Sequence, residues 1–278
     1  MMQTAAQQLK VGFQGEPGAY SESAVRQLFG EGVSIPLHSF HRVFEAVEIG
    51  TVDHGVVPIE NSHAGSINDT YDLLVKHGVR IVAETIVRIS HCLVAPIGTS
   101  VNDVRVVFSH VQALDQCEEF LSSLGVENVA VHDTAGAARM ISQEVRPGAA
   151  AIASREAAEI YGLEVIATGI EDRADNSTKF VAIGTNDPGI FGPPDKTSIV
   201  FSTADIPGAL FKCLKEFSDQ GINLSKIESR PSQARAWQYH FYLDFDAPSH
   251  DQRAKGALEA LGEHTTFLRV LGSYAGFR

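Results

Sequence analysis

Strand-like apolar runs that alternate with polar turns and amphipathic helices dominate this chain up to about residue 185. That alternation is its most restrictive feature. Parallel strands need a helical crossover between them, so the pattern selects an α/β architecture. Val11-Gly12-Phe13 reads as a first strand and Gln14–Tyr20 as a glycine-rich turn. Ser21 is placed to cap a helix carrying Ala24, Val25, Leu28 and Phe29. Ser39 caps a second helix, through Phe44, Ala46, Val47 and Ile49. Gly55–Ile59 is a strand and Glu60–Ser66 a polar loop, with Ser66 and Asp69 spaced as a capping box. Val79–Ala83 and Ile86–Ala95 read as further strands.

Pro96–Ser100 marks an expected crossing, and a second α/β series follows. Val104–Phe108 is its first strand. A helix is predicted from about Val111 to Leu124, its apolar face made by Val111, Leu114, Cys117, Leu121 and Leu124. Ser109 would cap that helix, and Gln112 and Gln116 would share one of its sides. Strands at Val129–Val131 and Ala149–Ala153 alternate with helices at Ala135–Ser142 and Arg155–Tyr161, and Asp133 precedes the first of these. The expected arrangement is a two-lobed, hinged, periplasmic-binding-protein-like (type II) domain over residues 1–193. One lobe takes about 1–96 plus 178–190 and the other about 97–177, with a cleft lined by loops of both.

After the linker-like GIFGPP stretch the pattern changes. Thr197–Ser202, Ile222–Arg230, Ala236–Phe245 and Thr266–Leu271 read as strands, Gly208–Asp219 and His250–Gly262 as helices. That order, βαββαβ, is a ferredoxin-like split βαβ sandwich over residues 194–278. Pro207-Gly208 opens a helix whose free N–H groups suit a carboxylate.

One polar cluster stands out against this frame. Asn176, Ser177, Thr178 and Lys179 sit at the mouth of the buried strand Phe180–Ile183. They gather two hydroxyls, a carboxamide and an ammonium on a rigid element, which suits a small anionic ligand. A plain polar turn before a core strand has the same composition. In open α/β sheets ligands bind beyond the carboxyl ends of strands, where the Glu60–Ser66 loop should lie. There Asn61 and Ser62 offer neutral hydrogen bonds, and Gly65 and Ser66 backbone donors.

Composition narrows the function classes. The formal net charge of -12 argues against a general nucleic-acid binder. No apolar run approaches the roughly 20 residues of a membrane span, and the N-terminal stretch lacks a signal-peptide core. A cytoplasmic protein is expected. Cys92, Cys117 and Cys213 lie in apolar surroundings without metal-ligand spacing, and the 11 histidines form no ligand set. No metal is expected, and the Gly12–Gly18 turn has the wrong spacing for a dinucleotide.

VGFQGEPGAYSE, VVPIENSHAGSI, FSHVQALDQC, DTAGAA and NSTKF, in this order, resemble blocks of the prephenate dehydratases and the related arogenate dehydratases. PGAL and INLSKIESRP resemble the phenylalanine-responsive ACT domain of that family. The resemblance implies a carbon–oxygen lyase that converts prephenate to phenylpyruvate in phenylalanine biosynthesis, without metal or organic cofactor. The family's essential Thr falls on Thr178 and its Glu-Asn pair on Glu60 and Asn61. Its Ser and Gln fall on Ser109 and Gln116, and a further acidic position on Asp133. Its Arg after the Thr is Lys179 here, a point charge in place of a planar fork. The effector motifs fall on Gly208-Ala209-Leu210 and Glu228-Ser229-Arg230-Pro231. Phenylalanine is expected between two C-terminal units, held by backbone near Gly208, Ala209, Asn223 and Leu224, which implies a homodimer or homotetramer. Arogenate as substrate, or a non-catalytic amino-acid sensor, fits the same residues.

Overall fold

The computed structural model describes residues 8–30, 32–144, 146–186, 189–232 and 238–277. The first series runs β1 (Lys10–Gln14), α1 (Tyr20–Phe29), β2 (Val33–Leu37), α2 (Phe40–Glu48), β3 (His54–Asn61), β4 (Gly65–Ser66), α3 (Asn68–Lys76) and β5 (Arg80–Arg88). The second runs β6 (Cys92–Ala95), β7 (Val106–His110), α4 (Val111–Asp115), α5 (Glu118–Leu124), β8 (Glu127–Val131), α6 (Thr134–Gln143), β9 (Ala149–Ala153), α7 (Arg155–Tyr161), β10 (Glu164–Thr168) and β11 (Ser177–Gly184). The third is β12 (Lys196–Thr203), α8 (Ala209–Asp219), β13 (Leu224–Pro231), β14 (Tyr239–Phe245), α9 (Gln252–His264) and β15 (Thr265–Tyr274). Residues 233–237, which include the start of the predicted strand at Ala236, lie outside the described residues.

These elements form two compact units. One takes the chain up to Thr70 together with Thr85–Phe180; the other takes Tyr71–Glu84 together with the chain from Val181. The chain passes from one to the other three times, within α3, β5 and β11.

In the first unit β1 pairs in parallel with β2 and β3, within a sheet of order β2-β1-β3-β11-β5. The second sheet has the order β10-β6-β9-β7-β8. Its β9, AAAIA, is buried along its whole length, and such small side chains let helices approach both faces. The crossing into this sheet lies at residues 89–91, ahead of the predicted Pro96–Ser100. Cys92–Val94 pair antiparallel with Ala151–Ala153, which ties β6 to the second sheet. Two predicted caps are displaced. Ser21 is a buried residue inside α1, and the Glu22 carboxylate takes the Gly18 N–H instead at 2.7 Å. Ser66 is paired with Glu60 in the β3–β4 hairpin rather than capping α3.

The second unit holds an antiparallel sheet of order β13-β14-β12-β15. One face packs on α8 and α9 through Ile199, Phe201, Cys213, Phe217, Leu243, Phe245 and Leu261, giving the expected βαββαβ unit. Tyr71–Glu84 lies in the same unit. The Arg269 guanidinium donates to the carbonyls of Val75, His77 and Val79, which satisfies orphan acceptors at the end of α3. Lys196 Nζ bonds Glu84 at 2.8 Å and Asp244 at 3.2 Å. Burial alone would depress this ammonium, but the two carboxylates outweigh it and hold Lys196 above 10.5.

Gly272 shows how closely β15 and this segment meet. A Cβ there would fall 2.2 Å from the Ile81 carbonyl oxygen, a backbone atom that cannot swing away. Gly272→Ala is expected to destabilise the second unit by about 3 kcal/mol. Chemical denaturation of wild type and variant checks this, and equal midpoints would contradict the close approach.

Candidate active site

The end of β3 and the start of β11 lie side by side in the first unit and present Asn61, Asn176 and Thr178 to one another. Asn61 Oδ1 accepts the backbone N–H groups of His63 at 3.0 Å and Ala64 at 2.9 Å. Backbone nitrogens can only donate, so these two bonds fix which end of the Asn61 amide is oxygen. Its Nδ2 must then face the other way, where it donates to Asn176 Oδ1 at 2.9 Å, Thr178 Oγ1 at 3.0 Å and the Ser177 carbonyl at 3.2 Å. Asn176 is in turn fixed, and its Nδ2 donates to Gln116 Oε1 at 2.9 Å. Gln116 Oε1 also lies 3.0 Å from His91 Nε2. The amides thus form a directed chain that starts at backbone donors.

Thr178 is 8% exposed and Asn176 1%, so a hydroxyl and a carboxamide are held at the edge of the core. Because Asn61 donates to Thr178 Oγ1, the threonine proton cannot point back at that amide. Thr178 is oriented as a donor. A cleft of about 190 Å³ opens beside this chain, lined by His63, Asp115, Gln116, Asp172, Arg173 and Asn176, with Glu171. Two of its carboxylates are turned to backbone groups. Glu171 accepts the His91 N–H at 2.8 Å, and Asp172 accepts from Glu118 and Glu119 at 3.0 and 3.1 Å.

Those last bonds explain why the predicted helix from Val111 to Leu124 is broken. Asp172 caps a fresh start at Glu118, and its own N–H goes to the Gln116 carbonyl at 2.8 Å. The break places Gln116 at the end of α4, at the cleft, while Gln112 stays exposed.

The other predicted residues are distributed unevenly. Ser109 is fully buried and donates to the Ile152 carbonyl at 2.7 Å; His110, through Nδ1, takes the capping role assigned to Ser109. Asp133 is the N-cap of α6, bonded to Gly136 N–H at 2.5 Å. Glu60 lies 3.8 Å from Lys179 Nζ. Ser62 is tied to the backbone of Ser177 and Asp175. Gly65, at φ 78°, and Ser66 form the hairpin strand β4. In the second unit Gly208, at φ 78°, precedes Ala209 and Leu210 at the start of α8. Asn223 donates to Asp246 at 2.6 Å, and Leu224 begins β13, which also carries Glu228, Ser229, Arg230 and Pro231. Arg230 pairs with Asp72 at 3.2 Å.

His91, 2% exposed, was not singled out by the sequence. Burial lowers its pKa below 6.5, against the Gln116 bond and Glu171, which act to raise it. Its ring also meets Tyr20 edge-on, with centroids 5.8 Å apart. The sequence signal was faint: one polar ring among apolar residues where two strands meet.

A family model for prephenate dehydratase matches residues 11–188, and one for the ACT domain matches residues 197–263. Arogenate dehydratase 2 of Petunia hybrida is 47% identical, over 98% of this chain and 73% of its own length. Arogenate dehydratase/prephenate dehydratase 2, chloroplastic, of Arabidopsis thaliana is also 47% identical, over 96% and 72%. Among solved structures, the prephenate dehydratase of Arthrobacter aurescens in complex with L-Phe superposes with a TM-score of 0.87 at 33% identity, over 96% of this chain and 90% of that one. A protein described as a quorum quenching acylase superposes equally well, at 32% identity over 96% and 98%.

Proposed function

This chain belongs to the prephenate dehydratase family, and from that membership we propose that it catalyses the decarboxylating dehydration of prephenate to phenylpyruvate. The observation that carries the reading is the donor orientation forced on Thr178. In the reaction the electron pair of the ring-to-carboxylate bond moves into the ring as CO2 leaves. The ring becomes aromatic and expels its hydroxyl from the opposite carbon; the departing oxygen takes up one proton, supplied in net by solvent, and leaves as water. A hydroxyl whose lone pair is already engaged by Asn61 presents its proton to that departing oxygen. Threonine is too weak an acid to work through a tuned pKa near neutrality, so its placement does the work. Gln116 holds the substrate by a neutral hydrogen bond, Asn61 orients Thr178, and Lys179 offsets substrate charge. Glu60 positions Lys179 rather than meeting a dianion it would repel. Asp133, Ser109, Ser62, Gly65 and Ser66 shape the loops and core around the site.

Arogenate differs only by an amino group in place of the side-chain keto group, and the names of the Petunia and Arabidopsis relatives favour it as a second substrate. An acylase reading gains nothing from the cysteines. All three thiols are buried, and burial pushes each one's pKa up, away from a reactive thiolate.

The catalytic part is assigned to residues 1–193 and the ACT part to 194–278. L-phenylalanine is assigned to the ACT part as effector, at Gly208–Leu210, Asn223 and Leu224 and the 228–231 stretch of a homo-oligomer. Arg230 there braces Asp72. Among the described residues no helix is long and apolar enough to cross a membrane. Incubating the purified chain with prephenate and, in parallel, with arogenate tests the proposal. Phenylpyruvate is expected from the first; binding without turnover of either would leave an amino-acid sensor.

A further inference from the structure

His91 lies behind two residues of the cleft wall, bonded to Gln116 through its ring and to Glu171 through its backbone, and it closes the hydrogen-bond chain that begins at Asn61. Each link in that chain fixes the next. Asn61 Nδ2 requires an oxygen on Asn176, so Asn176 Nδ2 faces Gln116 and requires an oxygen there. Gln116 Oε1 therefore faces His91, and two acceptors cannot face each other, so His91 Nε2 carries a hydrogen. The other ring nitrogen lies 3.4 Å from the Tyr20 hydroxyl, whose proton goes to the Ser90 carbonyl at 2.7 Å. On that side the ring is held by packing, edge-on against the Tyr20 ring with centroids 5.8 Å apart. With two donors on Gln116 Oε1, the Gln116 amide has only one stable orientation. Its Nε2 is left at the cleft, and among the described residues it donates to nothing.

We propose that His91 is a positioning residue for the dehydratase reaction: its Nε2–H locks the Gln116 side chain so that the amide nitrogen is presented to the substrate as a fixed donor. The inference rests on the dehydratase reading only for the identity of that substrate. Without His91 the Gln116 amide keeps a single anchor, the Asn176 amide, and turns its oxygen to the cleft for a larger fraction of the time. An oxygen facing an anionic substrate repels it, and the mispositioned fraction is unproductive.

The test uses the full chain. His91→Leu is expected to lower kcat about tenfold to thirtyfold and to move KM by less than about threefold. His91→Gln places an amide donor near the former Nε2 and should recover turnover to within about threefold of wild type. In a Gln116→Glu background, which keeps both acceptor contacts but has no donor to present, His91→Leu should cost less than about twofold more. His91→Gln as poor as His91→Leu, or losses that multiply in the double variant, would overturn the proposal. A readout independent of activity is the imidazole N–H signal in nitrogen-15 spectra of wild type. A slowly exchanging His91 Nε2–H that shifts on Gln116→Glu is expected. A proton found on Nδ1 alone, or no protected signal, would sink the lock even if the enzyme is active. Inactivity of wild type on both prephenate and arogenate, with that signal present, would instead remove the dehydratase reading and leave the lock standing.

Discussion

Thr178→Val is expected to remove about 99.9% of the turnover, a loss on the order of 10³ in kcat, while KM moves less than about threefold. Valine keeps the shape and the β-branching that β11 favours, so the 8%-exposed site stays filled and the strand stays intact. Only the oxygen is lost. That oxygen has two relations in the site: it accepts from Asn61 Nδ2 at 3.0 Å and, by elimination, directs its proton elsewhere. A hydroxyl stabilising the departing oxygen acts when charge develops on that atom, hence in the transition state rather than the ground state. Its removal belongs in kcat. Steady-state kinetics with prephenate decides the matter. Should KM rise in step with the fall in kcat/KM while kcat holds, Thr178 would be a binding group and the proposed chemistry would need another donor.

Asn61→Asp is the second large effect, and it separates orientation from mere presence of the hydroxyl. Aspartate still accepts the backbone N–H groups of His63 and Ala64, so the turn after β3 keeps its cap. The second carboxylate oxygen then replaces the Nδ2 donor. It cannot donate to Thr178 Oγ1, and instead draws the threonine proton toward itself. The catalytic hydrogen is diverted although Thr178 is untouched. Turnover is expected to fall about 10²-fold or more, with KM also rising because a new negative charge meets an anionic substrate. Asn61→Asp combined with Thr178→Val should be little worse than Thr178→Val alone, since both remove the same proton. Full additivity of the two losses, read from kcat of the four proteins, would show that Asn61 works without Thr178.

Much of this molecule is legible along the chain. Apolar period and turn residues fixed where strands and helices alternate, and the change of pattern after residue 188 marked a βαββαβ unit. Thr178 and Asn61 were visible because each sits where a buried strand meets polar residues, a pattern that needs only neighbours in sequence. Ser39 caps α2 for the same reason: its partner, Arg42, is three residues away.

Tertiary structure decided the rest. The helical period around Val111–Leu124 is unbroken, yet the helix ends at Asp115 because Asp172, 54 residues from Glu118, supplies a cap there. Ser109 looks like a helix cap, but its hydroxyl is claimed by Ile152, 43 residues away. The chain Asn61, Asn176, Gln116, His91 joins partners 115, 60 and 25 residues apart. Periodicity records which side of an element avoids water, and that is a local property. Which hydrogen bond an amide makes, and which way it points, depends on donors that distant segments bring within about 3 Å.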